Sequence, residues 1–266
     1  MITGATRLLA IVGDPIDKAR SPEGFCRLFE ANGHDAVMIP VHATAADFAA
    51  VIAGLKRIGN LDGIVATMPH KIALAAAADE VLDTGRLVGA VNVLRRRPSG
   101  GWEADMFDGR GFVAGLRAHG HEPEGRRVAL LGAGGAGSAI AVSLAREGIV
   151  AISVHDLDAA KAGRLVAILR GAFAGLEAGA APPDLAHCDL LVNATPNGMQ
   201  PGDPLPWPLA GLRAGTIVGD VTTKPEVTPF VAAARAAGAA TVTGRDMFEG
   251  QLRELAAFLG YPVKHP

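Results

Sequence analysis

The chain has 266 residues, 49% of them hydrophobic, 20% charged and 5% aromatic, with a formal net charge of -2. That is enough apolar material for one large core or two smaller ones. No basic tract is longer than Arg95-Arg96-Arg97, which excludes an electrostatic footprint for nucleic acid or an anionic membrane. No apolar run approaches the roughly 20 residues of a spanning helix, so no nucleic acid and no membrane are expected as partners. The first residues lack the succession of a signal peptide. Cys26 and Cys188 are too few and too far apart for a disulfide framework or a zinc site. The expectation is a cytoplasmic protein without a bound metal.

Short aliphatic or β-branched runs alternate with longer Ala/Leu-rich segments, the pattern of βαβ units and an α/β fold. Residues 8–12, 36–41 and 63–67 read as strands, and 22–31, 45–58 and 72–82 carry helical periodicity. Pro98-Ser99-Gly100-Gly101 marks a hairpin turn within residues 95–102, and 111–119 reads as a helix that carries the chain across a hinge near Asp108. A second series of strands follows at 127–131, 151–154, 190–193 and 216–220.

Gly132-Ala133-Gly134-Gly135-Ala136-Gly137 lies directly after one of these strands and directly before an amphipathic helix ending near Gly148. In GxGxxG the first glycine permits the turn, the second lets backbone approach a pyrophosphate, and the third allows helix to pack on strand. The helix N-terminus then offers free N–H groups to the anion. A glycine-rich turn without a ligand is the competing interpretation, and the strand before and helix after favour a dinucleotide. Asp156 follows Gly137 at about the 20-residue interval at which a carboxylate meets the ribose hydroxyls. It predicts NAD favoured over NADP. Asp156 could instead cap the helix over 159–169, a role that Asp158 fills better by position.

In the first half, Thr67-Met68-Pro69-His70-Lys71 presents polar groups at the carboxyl end of a buried strand, where clefts form. Gly89-Ala90-Val91-Asn92 and Asp108-Gly109 place an amide and a carboxylate after apolar segments. Taken alone, a lone Lys is usually a solvated surface residue and a lone Asp-Gly a turn.

Together and in this order, these motifs resemble the shikimate and quinate dehydrogenase family, a divergent member of which the chain is expected to be. Gly13-Asp14-Pro15-Ile16, Ser21-Pro22, Asn193-Ala194-Thr195-Pro196-Asn197-Gly198-Met199 and Gln251 extend the resemblance over nearly the whole chain. It implies an N-terminal α/β substrate domain, residues 1–108 with 245–266, and an inserted Rossmann domain over 109–244, with substrate and nicotinamide in the cleft between them. It implies an oxidoreductase acting on a secondary alcohol of a shikimate- or quinate-like cyclic hydroxy acid, as a monomer or homodimer. Lys71 is then the acid/base and Asp108 its partner. Ser21, Thr67, Asn92, Gln251 and Thr223 match substrate positions. Gly132, Ala133, Gly134, Gly135, Ala136, Gly137, Asp156, Asn193, Ala194, Thr195, Met199 and Met247 match cofactor positions.

The chain departs from the family at Ala19, Val65, Met106 and Thr223, where the family usually has polar residues or Tyr. Ala19, Val65 and Thr223 match positions expected near the carboxylate end of the ring, whereas Lys71, Asn92, Asp108 and Gln251 are retained. The pattern implies kept chemistry and altered recognition, with Lys18, Arg20 and Lys224 as candidate compensating cations. The rival is a non-catalytic, regulatory member that binds a dinucleotide or metabolite, to which the retained Lys71 and Asp108 are unfavourable.

Overall fold

The alternating segments at the start of the chain form a sheet covered on both faces. In a computed structural model, which describes residues 2–17, 19–200 and 202–263, β1 (Arg7–Gly13) is followed by α1 (Ser21–Asn32), β2 (Ala36–His42), α2 (Phe48–Leu55) and β3 (Leu61–Ala66). After β3 come α3 (Lys71–Ala75), β4 (Glu80–Val81), α4 (Asp83–Val88), β5 (Val93–Arg96) and β6 (Trp102–Asp105). The first three strands pair in parallel and the β5–β6 hairpin extends them antiparallel, in the order β2-β1-β3-β5-β6-β4.

Period-2 alternation divides the core of this sheet. Ile64 and Ala66 of β3 face Phe48, Ile52 and Leu55 of α2 and Leu74 of α3. Val65 faces the other way, among Phe25, Leu28 and Phe29 of α1 and Leu255, Leu259 and Tyr261 from the end of the chain.

The helix predicted over 72–82 stops at Ala75, although Ala76, Ala77 and Ala78 have high helix propensity. Asp79 N–H donates to Trp102 O, and Glu80 and Val81 pair with Glu103 and Ala104, so strand pairing overrides propensity. The basic tract is built into the hairpin. Arg95 pairs with Glu103 and lies 4.1 Å over the Phe258 ring, while Arg96 donates to the carbonyls of Lys56, Ile58 and Leu61 and covers Trp102.

The remaining elements are α5 (Asp108–Ala118), β7 (Arg127–Leu131), α6 (Gly135–Arg146), β8 (Ala151–His155), α7 (Ala159–Ala172), β9 (Glu177–Ala180), β10 (Leu190–Asn193), β11 (Ile217–Asp220), α8 (Pro229–Ala236), β12 (Ala240–Val242) and α9 (Gly244–Phe258). Their sheet has the order β12-β11-β10-β7-β8-β9 and is parallel throughout. The strand order reverses between β7 and β10, a topological switch point at which ligands bind beyond the carboxyl ends of such strands. Asp158 caps α7 by accepting from the amides of Ala160 and Lys161. The chain divides into two compact units, residues 1–107 with 252–266 and residues 108–251, so one boundary falls within α9.

In the first unit, Arg7 and the Tyr261 hydroxyl both donate to the Asp62 carboxylate. Burial works to raise the Asp62 carboxyl, but these donors outweigh it and hold it below the usual carboxylate range. A lowered carboxyl contributes stability above its unfolded pKa and loses it as pH falls through the folded value. Tyr261→Phe should therefore lower unfolding stability by about 1–2 kcal/mol at neutral pH. In urea melts that deficit should shrink below pH ~4, the ordinary carboxylate value.

Candidate active site

In the first unit the candidate residues gather at the carboxyl edge of the sheet. Thr67 N–H donates to Val12 O at the end of β1, and Asp14 N–H donates to Met68 O. Gly13 is required there, since a Cβ on it would come within 2.4 Å of Thr67 Cγ2. His70 is an anchor: it is 2% exposed, its Nε2 bonds Ala43 O at 2.7 Å, and its ring stacks on Phe48. The next residue, Lys71, opens α3, and its carbonyl accepts the Val91 N–H at 2.9 Å. That bond sets Asn92 beside the Lys71 segment. Asn92 is buried, its carbonyl accepts from Ala66 N–H, and its Oδ1 accepts Phe107 N–H at 2.9 Å. Ser21 begins α1.

The second unit holds Asp108, Gln251 and the dinucleotide candidates. Asp108 is buried at the start of α5, and Gln251 Nε2 donates to its Oδ1 at 2.6 Å. Three glycines make this contact possible. A Cβ on Gly109 would stand 2.0 Å from Ala139 O of α6, and one on Gly111 would stand 2.5 Å from Gln251 Cβ. Gly250 answers from α9, where a Cβ would meet Gly111 O at 2.6 Å. Sequence reasoning singled out neither Gly111 nor Gly250; the available signal was glycine inside helices, where it costs about 1 kcal/mol against alanine.

The glycine loop has the form its spacing implies. Gly132 has φ +93°, and a Cβ on Gly137 would lie 2.0 Å from Gly132 O. Cβ atoms on Gly134 and Gly135 would meet nothing within 4 Å. The outer surface of the loop is thus open, and the first amides of α6 point their unsatisfied donors there. These features fit a dinucleotide pyrophosphate. Asn193, fully buried at the end of β10, accepts the Thr195 amide and hydroxyl on its Oδ1 and donates to Asn197 O. Ala194 O lies 2.8 Å from the position of a Gly132 Cβ, which sets this segment against the loop. Met247 is buried in α9, while Met199 and Thr223 are exposed.

Asp156 stands at the end of β8 with both oxygens engaged. Oδ2 accepts Ala133 N–H at 2.7 Å, inside the glycine loop, and Oδ1 accepts Asp158 N–H at 2.8 Å. Burial works to raise this carboxyl, but the two amides, with Lys161 adding positive charge, hold it below the usual range.

Of the candidate compensating cations, Lys224 is exposed, Arg20 is half-buried and bonded, and Lys18 lies outside the described residues. Burial pushes the Cys188 thiol up to about 11, away from nucleophilic use. Among the described residues no helix is long and apolar enough to cross a membrane, and no group of three or more His, Cys, Asp or Glu side chains could hold a metal ion.

A parallel sheet with a glycine loop at its switch point defines the second unit as a dinucleotide-binding fold. The family model described as "Shikimate dehydrogenase substrate binding domain" matches residues 11–94. A shikimate dehydrogenase (NADP(+)) of Acidiphilium cryptum is 38% identical over 93% of this chain and 88% of its own length. Among solved structures, a 5-ketofructose reductase of Gluconobacter is 30% identical with a TM-score of 0.88, covering 97% of this chain and 95% of that one. A Listeria monocytogenes shikimate 5-dehydrogenase, in complex with shikimate and NAD, is 27% identical with a TM-score of 0.91, covering 98% and 94%. The chain belongs to the shikimate/quinate dehydrogenase family.

The expectation that NAD is favoured over NADP is corrected by these relatives. Curated relatives at 33–38% identity are named shikimate dehydrogenase (NADP(+)). Asp156 accepts two backbone amides that build the loop, which is a use for a carboxylate at this position whichever dinucleotide binds, so its interval from the loop does not select NAD. Because the Gly137 contact is backbone against backbone, Gly137→Ala should displace the loop and abolish measurable dinucleotide binding in calorimetry. Wild-type affinity in that variant would mean that the loop does not carry the site.

Proposed function

We propose that this chain transfers hydride between NADP and a secondary alcohol of a small, shikimate-like cyclic hydroxy acid, with Lys71 taking and returning the hydroxyl proton. The observation that carries this reading is the placement of Lys71. It follows a buried, doubly anchored His70 and is bonded through its carbonyl to the segment that holds Asn92. A lysine whose backbone is anchored at a sheet's carboxyl edge, next to the segments of Thr67 and Asn92, suits general acid–base catalysis on a hydroxyl.

In the oxidative direction the hydroxyl proton passes to the Lys71 amine, the carbon–oxygen double bond forms, and the hydrogen on that carbon leaves with its electron pair. The bound dinucleotide supplies the acceptor for that hydride. In reduction the Lys71 ammonium returns the proton to the new alkoxide. Asp108, fixed by the Gln251 amide, accepts a ring hydroxyl and orients it. The loop over Gly132, Ala133, Gly134, Gly135, Ala136 and Gly137 receives the pyrophosphate at the start of α6. Asn193, Ala194, Thr195, Met199 and Met247 line the path of the nicotinamide half, Asp156 supports the loop, and Thr223 serves the substrate side. The reaction is placed in the cytoplasm, in keeping with two unpaired cysteines. A binding-only protein would have no chemical use for the amine. Lys71→Ala should lower kcat by about 10²–10⁴-fold with NADP affinity unchanged, read by stopped-flow rates and calorimetry. Undiminished turnover would assign the proton to another group.

A second reading concerns the far end of the ring. Val65 lies in an apolar cluster with Phe25, Leu28 and Phe107, and Ile16, Ala19 and Leu252 pack against it. A carboxylate against such a wall would lack the donors it needs, and the similar Gluconobacter protein is named for ketofructose, an uncharged polyhydroxy ketone. The ring's carboxylate therefore contributes little to recognition here. The methyl ester of shikimate should show kcat/KM within about threefold of the acid, less than the roughly tenfold that one lost charge-assisted hydrogen bond would produce. A tenfold preference for the acid would overturn this reading.

A further inference from the structure

The carboxylate of Asp220 is fully buried at the end of β11, in register with Asn193 of β10, whose side chain is among its hydrogen-bond partners. Its Oδ1 accepts Thr222 N–H at 2.9 Å, and its Oδ2 accepts the Thr228 hydroxyl at 2.8 Å. The same Thr228 oxygen accepts Val231 N–H at 3.1 Å and so caps α8. Burying a carboxylate is costly unless it is well bonded, and a simple filler at this position could have been apolar. What the carboxylate adds is two acceptor oxygens aimed at two different stretches of the following loop.

Both stretches lead to the dinucleotide candidates. Thr228 stands near the segment after β10, where a Cβ added to Gly198 would be 3.5 Å from Thr228 Cβ. That segment is tied back by Asn193, which pairs in register with Asp220 and holds Thr195 and Asn197. Its Ala194 carbonyl in turn abuts Gly132 of the glycine loop. On the other side, Thr222 O stands 2.3 Å from where a Cβ on Gly244 would be, at the first residue of the helix that carries Met247 and Gln251. One side chain thus fixes the loop after β11 against the floor of the glycine loop and against the start of α9.

We infer that Asp220 is a positioning residue for the dinucleotide, acting through Asn193 and the segment after β10 that Asn193 holds, without touching the cofactor itself. The inference rests on the NADP-linked reading proposed above and deepens it. Replacing the carboxylate by an amide keeps the volume but removes one acceptor oxygen, so the Thr228 hydroxyl can hold the contact only by reversing and accepting, and the loop is held less firmly.

The test measures NADP affinity by calorimetry, together with KM and kcat, for the wild type, Asp220→Asn, Thr228→Val and Thr228→Ser, with melting curves for each. Asp220→Asn should raise the Kd and KM for NADP tenfold or more while the KM for the ring substrate stays within threefold. Thr228→Val should follow it, and Thr228→Ser, which keeps the hydroxyl, should restore NADP affinity to within threefold of wild type. A merely structural role would lower the melting temperature of the first two variants and move both KM values together or neither. That result, or NADP affinity within twofold of wild type in folded Asp220→Asn, would overturn the inference. Should Asp220→Asn fail to fold, the Val and Ser variants decide by the same criteria. Wild-type protein that binds NADP and turns over no ring alcohol would sink the proposed reaction while the affinity comparison still judges Asp220.

Discussion

Backbone brought directly against backbone is the constraint on which the second unit depends. At Gly137 and Gly109 there is no room for a methyl group, because a carbonyl oxygen stands 2.0 Å from where the Cβ would be. The first contact seats α6 on the strand that feeds the glycine loop, and so directs the helix N-terminus at the anion site. The second seats α5 on α6. With Gly111 and Gly250 meeting across α5 and α9, it brings the Gln251 amide onto the Asp108 carboxylate. The glycine loop and the Gln251–Asp108 bond thus follow from one kind of packing, in which the missing side chain lets main chains approach.

The first unit reaches a comparable precision by other means. Its sheet edge is held by a buried histidine used as a strut, by an asparagine whose side-chain oxygen is committed to a backbone amide, and by a carbonyl bond from Lys71 to Val91. The Lys71 backbone is thus anchored by groups that are themselves fixed, as the proposed proton transfer requires. The Arg7–Asp62–Tyr261 contacts fasten the end of the chain to this sheet, and Arg96 fastens the hairpin through the carbonyls of Lys56, Ile58 and Leu61.

Much of this was legible in the sequence. Alternating strand and helix signals gave the α/β class, and Gly132 to Gly137 lay where a strand ends and a helix begins. The order of Thr67–Lys71, Asn92, Asp108, Asn193–Met199 and Gln251 gave the family. Other parts were not legible. Ala76 to Ala78 read as helix because propensity is local, whereas the pairing of Glu80 and Val81 with β6 depends on residues more than twenty positions away. The strand over 177–180 has no β-branched or aromatic residue and that over 240–242 is only three residues long, and each is completed by hydrogen bonds from a parallel neighbour. Asp156 was read as a ribose contact on its interval from the loop, but an interval does not tell which donors a carboxylate meets.

The sequence by itself determined the fold class, the dinucleotide loop, the family and with it the hydride chemistry, because glycine placement, apolar period and motif order are properties of the chain as a line of residues. Only the tertiary structure decided what the polar side chains are bonded to: His70 to Ala43, Asn92 to Phe107, Gln251 to Asp108, and Asp156 and Asp220 to the loops beside them. The physical reason is that a hydrogen bond needs its partners within about 3 Å and in line. Strand register and helix packing, which bring distant residues to that distance, are fixed by the whole fold.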